Sequence, residues 1–172
     1  LDFIQKEYPE DTRSKIWNRL GQQYSAQFQQ KINKRDWIDL NAFIALCQAI
    51  IDVVWDGKVE KAQELGYLSA RQSLPSFYKV LYRLGDVDYV IGRASNIFNS
   101  YYQEAELSIT EQHNDMVRLQ ITGLYDPTTI IIRRIVGFLR ASIEISGGQL
   151  SELTWNQSEP IDGTWSIYMS WL

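Results

Sequence analysis

Tyr67, Ser69 and Arg71 stand at alternate positions and bring two hydroxyls and a guanidinium onto a short stretch of chain. In chemical terms that set is a carboxylate clamp, because arginine offers a planar fork of donors and the hydroxyls add to it. Other reactive groups are scarce. His113 is the one histidine, and its neighbours Asn114 and Asp115 suit a turn. Alone it cannot make a two-histidine metal site, and as a base it lacks a nucleophile and an orienting acid. There is no Gly-x-Ser-x-Gly elbow and no glycine-rich phosphate loop. Cys47, the one cysteine, lies among aliphatic residues, so a buried, inert thiol is expected and no internal disulfide. Asp86 and Asp88 carry the right oxygens for Mg²⁺, but directly after Gly85 they read better as helix caps. Arg133 and Arg134 open a helix, where positive charge opposes the dipole; they need an acid partner or a bound anion. No catalytic and no metal-binding residue is therefore assigned, ligand-binding residues stay unassigned, and the chain is read as non-enzymatic.

The aromatic load is larger than a core of this size requires. Trp17, Trp37, Trp55, Trp155, Trp165 and Trp171 join Phe77, Tyr78, Tyr82, Tyr101 and Tyr102. Such residues fill a core, form a subunit interface, or line an apolar pocket between helices and sheet.

Composition narrows the classes. With 172 residues, 45% hydrophobic and 13% aromatic, there is material for one full core, and a single domain over residues 1–172 is expected. A net charge of −4 argues against nucleic acid and anionic membrane surfaces as partners. No segment approaches the roughly 20 apolar residues of a spanning helix. The solitary cysteine fits a reducing compartment, the cytoplasm. The first methionine is Met116, so the chain reads as a processed or partial piece with room for a fused domain. Asn156 and Ser158 complete a glycosylation sequon with no other sign of secretion.

Periodicity then places the elements. An N-terminal amphipathic helix (residues 1–35) is predicted from Ile16, Leu20, Tyr24, Phe28 and Ile32, capped by Asp11 or Thr12. A helical half (37–102) follows. It holds a buried helix from Trp37 to Asp56-Gly57, a more polar one over 59–73, one opened by Pro75 and stopped at Gly85, and one over 88–101. From residue 104 the period changes to two. Strands over 104–112 and 116–123 flank a turn at His113 and make a hairpin, with Val117, Leu119 and Ile121 on one face. Asp126 and Pro127 introduce a long helix with the apolar face Ile131, Ile132, Ile135, Val136, Leu139 and Ile143. Gly147-Gly148 ends it, and strands over 150–155 and 164–171 complete the chain. The fold class is α+β: a helical half, then β-β-α-β-β with a four-stranded antiparallel sheet.

Several stretches carry a family resemblance. They are Leu65-Gly-Tyr-Leu-Ser-Ala-Arg71 through Phe77-Tyr-Lys-Val-Leu-Tyr-Arg-Leu-Gly85, Arg93-Ala-Ser-Asn-Ile-Phe-Asn-Ser-Tyr-Tyr102 and Ile121-Thr-Gly-Leu124. Ile135-Val-Gly-Phe-Leu-Arg140 with Gly147-Gly148, and Trp165-Ser-Ile-Tyr-Met-Ser-Trp171, complete the set. Over residues 37–172 they resemble a bacterial group related to the 4-vinyl reductase-like domain, in the superfamily of heme-NO-binding sensors and Bet3-type trafficking subunits. The resemblance implies a small-molecule-sensing or regulatory domain, a homodimer, and a fused or partner signalling protein. Many such relatives carry cysteines where Ile131 or Ile132, Asn156 and Trp165 stand here, so their thiol chemistry is absent. Tyr67, Ser69 and Arg71 match the Tyr-x-Ser-x-Arg motif with which the heme-NO-binding sensors grip heme propionates. Those sensors place an axial histidine before the motif, whereas His113 follows it, and here the motif falls on a helix. No cofactor is expected on this ground, heme being disfavoured. The resulting reading is a sensor for a small apolar or aromatic ligand; the alternative is a structural adaptor or dimerisation module with no ligand.

Overall fold

A computed structural model describes residues 2–29, 36–77, 87–156 and 162–172. The chain opens with α1 (Asp2–Glu7), α2 (Glu10–Leu20) and α3 (Gln22–Gln29). The stripe predicted as one helix is thus cut at Gly21, whose φ of 76° no right-handed helix accommodates and which glycine adopts without a Cβ clash. The stripe outlives the cut: Ile16, Leu20 and Phe28 are buried in one core. Neither Asp11 nor Thr12 caps α2, because Pro9 holds the N-cap position without a side-chain bond. Ile32 lies outside the described residues.

Helix α4 (Leu40–Trp55) begins where Asp39 accepts a hydrogen bond from the Ala42 amide at 3.0 Å, and it stops at Asp56 in a left-handed conformation. Helix α2 lies along α4, and Arg19 reaches Asp52 at 2.6 Å. A 3-10 turn (Val59–Lys61) leads into α5 (Ala62–Phe77). Pro75 therefore falls in the last turns of α5 and does not open a new helix; the remainder of that predicted helix and its stop at Gly85 lie outside the described residues. The predicted helix over 88–101 is two short ones, α6 (Val87–Ile91) and α7 (Ala94–Asn99), parted at Gly92-Arg93. Among the described residues no single helix is long and apolar enough to cross a membrane.

The remainder follows the predicted order. Strands β1 (Glu106–His113) and β2 (Met116–Thr122) form a hairpin around Asn114-Asp115, then come α8 (Ile130–Ile145), β3 (Leu150–Trp155) and β4 (Trp165–Trp171). All neighbours are antiparallel in the order β1-β2-β4-β3, so β2 and β4 are central. The alternation of β2 and β4 buries Val117, Leu119 and Ile121 with Trp165, Ile167, Met169 and Trp171 on one face. The Trp165 indole N–H donates to the Leu124 carbonyl at 2.8 Å, which satisfies its polar atom in the core.

Helix α8 ties the halves together. An ideal Cβ on Gly137 would lie 1.8 Å from the Gln63 carbonyl oxygen, and one on Gly66 would lie 1.9 Å from that of Arg134. Backbone thus meets backbone at two reciprocal points of the α5–α8 crossing. The face of α8 bearing Arg133, Gly137, Arg140 and Glu144 is accordingly partly an internal one.

Candidate functional site

Two polar groups of side chains meet on α8, one at each end of the glycine crossing. The first contains the clamp residues. On α5 the Tyr67 hydroxyl donates to Glu144 Oε2 at 2.7 Å, and Arg140 Nε donates to Glu144 Oε1 at 2.9 Å. Arg71 Nη1 donates to the Tyr67 oxygen at 3.1 Å, and the Arg71 and Arg140 guanidinium carbons lie 5.7 and 5.0 Å from the Tyr67 ring centroid. Ser69 donates instead to the Leu65 carbonyl within its own helix. Tyr67 and Arg71 are therefore joined, Ser69 is not with them, and the carboxylate they hold is the protein's own Glu144. Burial alone raises the Glu144 pKa, but the hydrogen bonds from Tyr67 and Arg140 outweigh it and hold the carboxyl below its usual range. Beside this group lies an open hollow of about 520 Å³ lined by Gln63, Arg140, Glu144, Gly148, Gln149, Leu150 and Leu153.

The second group lies at the other end of α8. The N-terminus of that helix is capped from a distance: Asp126, fully buried, accepts from the amides of Ile131 at 2.6 Å and Ile132 at 3.2 Å and from Thr128 Oγ1 at 2.6 Å. Thr129, with φ 58°, holds the N-cap backbone position, so Pro127 precedes the first turn. The carboxylate answers the helix dipole, which makes the following arginines tolerable there. Arg133 donates to Thr129 Oγ1 and sits 5.1 Å from the Trp155 ring centroid, while Arg134 sits 4.8 Å from that of Phe43. Both arginines thus meet an aromatic ring, and neither forms an ion pair among the described residues. Cys47 and Tyr102 lie within electrostatic reach of Arg134. Burial raises the Cys47 thiol to about 11 and the Tyr102 phenol to about 12, against the opposing pull of Arg134. Cys47 is thus the buried, protonated thiol the sequence predicted. Tyr102, Arg134 and Asp126 were not foreseen as neighbours of Cys47, since nothing in local spacing joins α4, the α7–β1 link and α8.

His113 is the last residue of β1, exposed, and 3.3 Å from Glu111. Asp86 and the side chain of Asp88 lie outside the described residues, as do Tyr78, Tyr82 and Ser158. Among the described residues no group of three His, Cys, Asp or Glu side chains is placed to hold a metal ion. The aromatic excess divides: Trp155, Trp165 and Trp171 fill the core, Trp17 and Trp55 are half-buried, and Trp37 and Tyr101 are exposed.

No family model matches the sequence, and no curated protein matches it. Solved structures do. The chain is similar to a mutant H-NOX protein from K. algicida in its Fe(II) unliganded form, with a TM-score of 0.72 and 8% identity, covering 99% of this chain and 91% of that one. It is similar to an oxygen-binding H-NOX domain related to soluble guanylate cyclases, in its oxygen complex, with a TM-score of 0.70 and 12% identity over 99% and 89%. A third structure, whose subject is heme redox potential and porphyrin distortion, superposes at 0.70 and 12% identity over 98% and 94%. The fold is that of the H-NOX, or heme-NO-binding, domains, in agreement with the kinship read from the residues.

This likeness corrects one expectation. The misplaced histidine led to a reading without cofactor, heme disfavoured; the neighbours are heme domains, and they make heme the cofactor to weigh for this fold. Heme asks for partners to its propionates and for an axial ligand to iron. For the first, Arg134 over the Phe43 ring is a donor of the right kind. The second is not met among the described residues: His113 points away on a hairpin end, and Cys47 keeps its proton. The Tyr-x-Ser-x-Arg residues are engaged elsewhere, Tyr67 with Glu144, Arg71 with Tyr67 and Ser69 with the Leu65 carbonyl. As an iron ligand set the described side chains do not fit heme.

Proposed function

We propose that this chain is a ligand-sensing regulatory domain and not an enzyme, which takes a small apolar or aromatic molecule between its helical half and its sheet. It acts as a homodimer in the cytoplasm and reports to a fused or partner signalling protein. The observation that carries this reading is the H-NOX-like fold over 99% of the chain. The chemistry of the described side chains supports it. Glu144 is engaged by Tyr67 and Arg140, Asp126 caps α8, Cys47 is protonated and His113 is exposed, so no two of them converge as an acid–base pair in a cleft.

Native mass spectrometry of the full chain purified from cells is the direct test. The expected result is a retained non-protein mass in fixed ratio to the chain, which denaturing spectra release and identify. A bare polypeptide mass, together with no stabilisation by any member of an aromatic small-molecule set, would sink the reading.

One observation favours the adaptor alternative. The described hollows, of about 520 and 290 Å³, are both open and peripheral, while Ile131, Ile132, Val136 and Trp165 fill the space between α8 and the sheet. An adaptor would be ligand-free and still self-associate in sedimentation.

A further inference from the structure

Strand β3 forms one margin of the four-stranded sheet, and β1 forms the other. The β1 margin is guarded. Helix α7 packs on it, Asn99 Oδ1 accepts from the Leu107 amide at 3.4 Å, and the register slips between Ile109 and Glu111. A cover, a bulge and charged residues are the usual means of keeping an edge from pairing. The β3 margin slips early, between Leu150 and Glu152, and runs in regular register from there to Trp155. Just past it, the Asn156 amide donates to the Ser166 carbonyl of β4 at 3.3 Å. Antiparallel bonding alternates, so Thr154 and Glu152 also face β4, and the Leu153 amide and carbonyl point off the sheet. Ser151, Glu152 and Thr154 are exposed, and Leu150 and Leu153 are half-buried. Leu153 pairs with Met169, so its side chain lies on the helix-facing side, where it and Leu150 border the hollow of about 520 Å³. Across that hollow stand Arg140 and Glu144.

We propose that two copies of this chain pair through the β3 edge, antiparallel and centred on Leu153, so that their sheets run on as one. The inference rests on the homodimer of the reading above and names its interface. On the two-fold axis each Leu153 amide donates to the Leu153 carbonyl of the other copy. This register sets Glu152 opposite Thr154 of the second copy. The register centred on Glu152 would instead oppose two carboxylates, which is destabilising. On the helix-facing side the second Leu153 reaches over the hollow and covers its apolar wall. The hollow presents one acid and one base, Glu144 and Arg140, so two of them meet without net charge between them. The edge is complementary to itself in bonding, in charge and in apolar surface, and that selects a second copy as its occupant.

Sedimentation of the full chain across micromolar concentrations should give a species of twice the 20.0 kDa chain mass. Leu153→Lys puts an ammonium on the paired edge and should weaken dimerisation about tenfold or more, with the far-ultraviolet circular dichroism unchanged. Leu153→Cys, oxidised with copper phenanthroline, should give a disulfide-linked dimer on a non-reducing gel. The Cα atoms of a hydrogen-bonded antiparallel pair lie about 5.5 Å apart, inside disulfide reach. Glu152→Cys and Thr154→Cys meet their own copies only diagonally, at about 7 Å or more, and should cross-link several-fold less. Cys47 is buried and takes no part. A folded Leu153→Lys that dimerises like the parent overturns the proposal and leaves the homodimer to another surface. Cross-linking through Glu152→Cys or Thr154→Cys as efficient as through Leu153→Cys overturns it as well. Should Leu153→Lys not fold, the three cysteine variants decide alone. A parent that stays monomeric overturns both this proposal and the homodimer, and the mass of the purified chain then judges ligand sensing separately.

Discussion

Helix α8 meets the helical half in two unlike ways. At its middle, Gly137 and Gly66 let α5 and α8 touch backbone to backbone, with no side chain between them. At its beginning, contact is made through long and polar side chains: Arg134 over Phe43, Asp126 folded back under the first turn, and Tyr102 and Cys47 nearby. The first junction has one solution, because a carbonyl against a Cα leaves nothing to repack. The second has several, since a guanidinium and a phenol can change partner without moving a helix. The difference suggests a division of labour. The glycine crossing fixes the axis, and the polar end is the part that can repack at modest cost.

The largest expected effect lies at the crossing. Gly137→Ala drives a methyl group into the Gln63 carbonyl, and Gly66→Ala does the same at Arg134. Neither obstacle is the tip of a flexible side chain, so one helix must shift. Overpacking of this kind costs about 3 kcal/mol or more. Urea unfolding of each variant checks it. A midpoint within error of the parent would mean the helices part easily, and the contrast with the polar end would vanish.

Next comes the cap. Asp126→Ala leaves the amides of Ile131 and Ile132 without an acceptor inside a dry core and removes negative charge from the positive end of α8. The expected loss is about 2 kcal/mol, at the high end for a helix cap because the site is buried. Asp126→Asn, which keeps one acceptor oxygen, should lose about half of that. Equal losses in the two variants would show that the charge, and not the hydrogen bonds, sets the cost.

How much of this the sequence disclosed depends on the range of the interaction. The alternation of Val117, Leu119 and Ile121, and of Trp165, Ile167, Met169 and Trp171, revealed the central strands because a two-residue period is written locally. The long apolar stripe of α8 was equally plain. The break at Gly21 was missed because helical spacing of Ile16, Leu20 and Phe28 continues across it, and a single glycine does not announce its φ. Asp126 was recognised as a cap but placed too close, as its reach over Thr129 depends on an αL residue that no propensity foretells. The site suffered most. Cys47, Tyr102 and Arg134 sit on three elements far apart in sequence, and only tertiary packing makes them neighbours. Tyr67, Ser69 and Arg71 show the converse error of short-range reading: close in sequence, only Tyr67 and Arg71 work together, and the carboxylate partner of Tyr67 is 77 residues away.

That partner gives the mildest test and the one most sensitive to pH. Tyr67→Phe removes the 2.7 Å hydrogen bond to Glu144 and the 3.1 Å one accepted from exposed Arg71 while preserving the ring between Arg71 and Arg140, so a loss of about 1 kcal/mol is expected at neutral pH. The sign of the pH dependence follows from the depressed carboxyl. A Glu144 that ionises more readily folded than unfolded adds stability above the unfolded value near about 4.3. That contribution fades as pH falls through the lower folded value, once both states are protonated. With Tyr67 gone, one of the two hydrogen bonds that depress Glu144 is gone as well. The gap between Tyr67→Phe and the parent should therefore be widest at neutral pH and narrow in acid. A gap that stayed constant down through the carboxylate range would mean that Glu144 draws its low pKa from Arg140 alone. The α5–α8 junction would then end at its glycines, with the tyrosine merely resting on it.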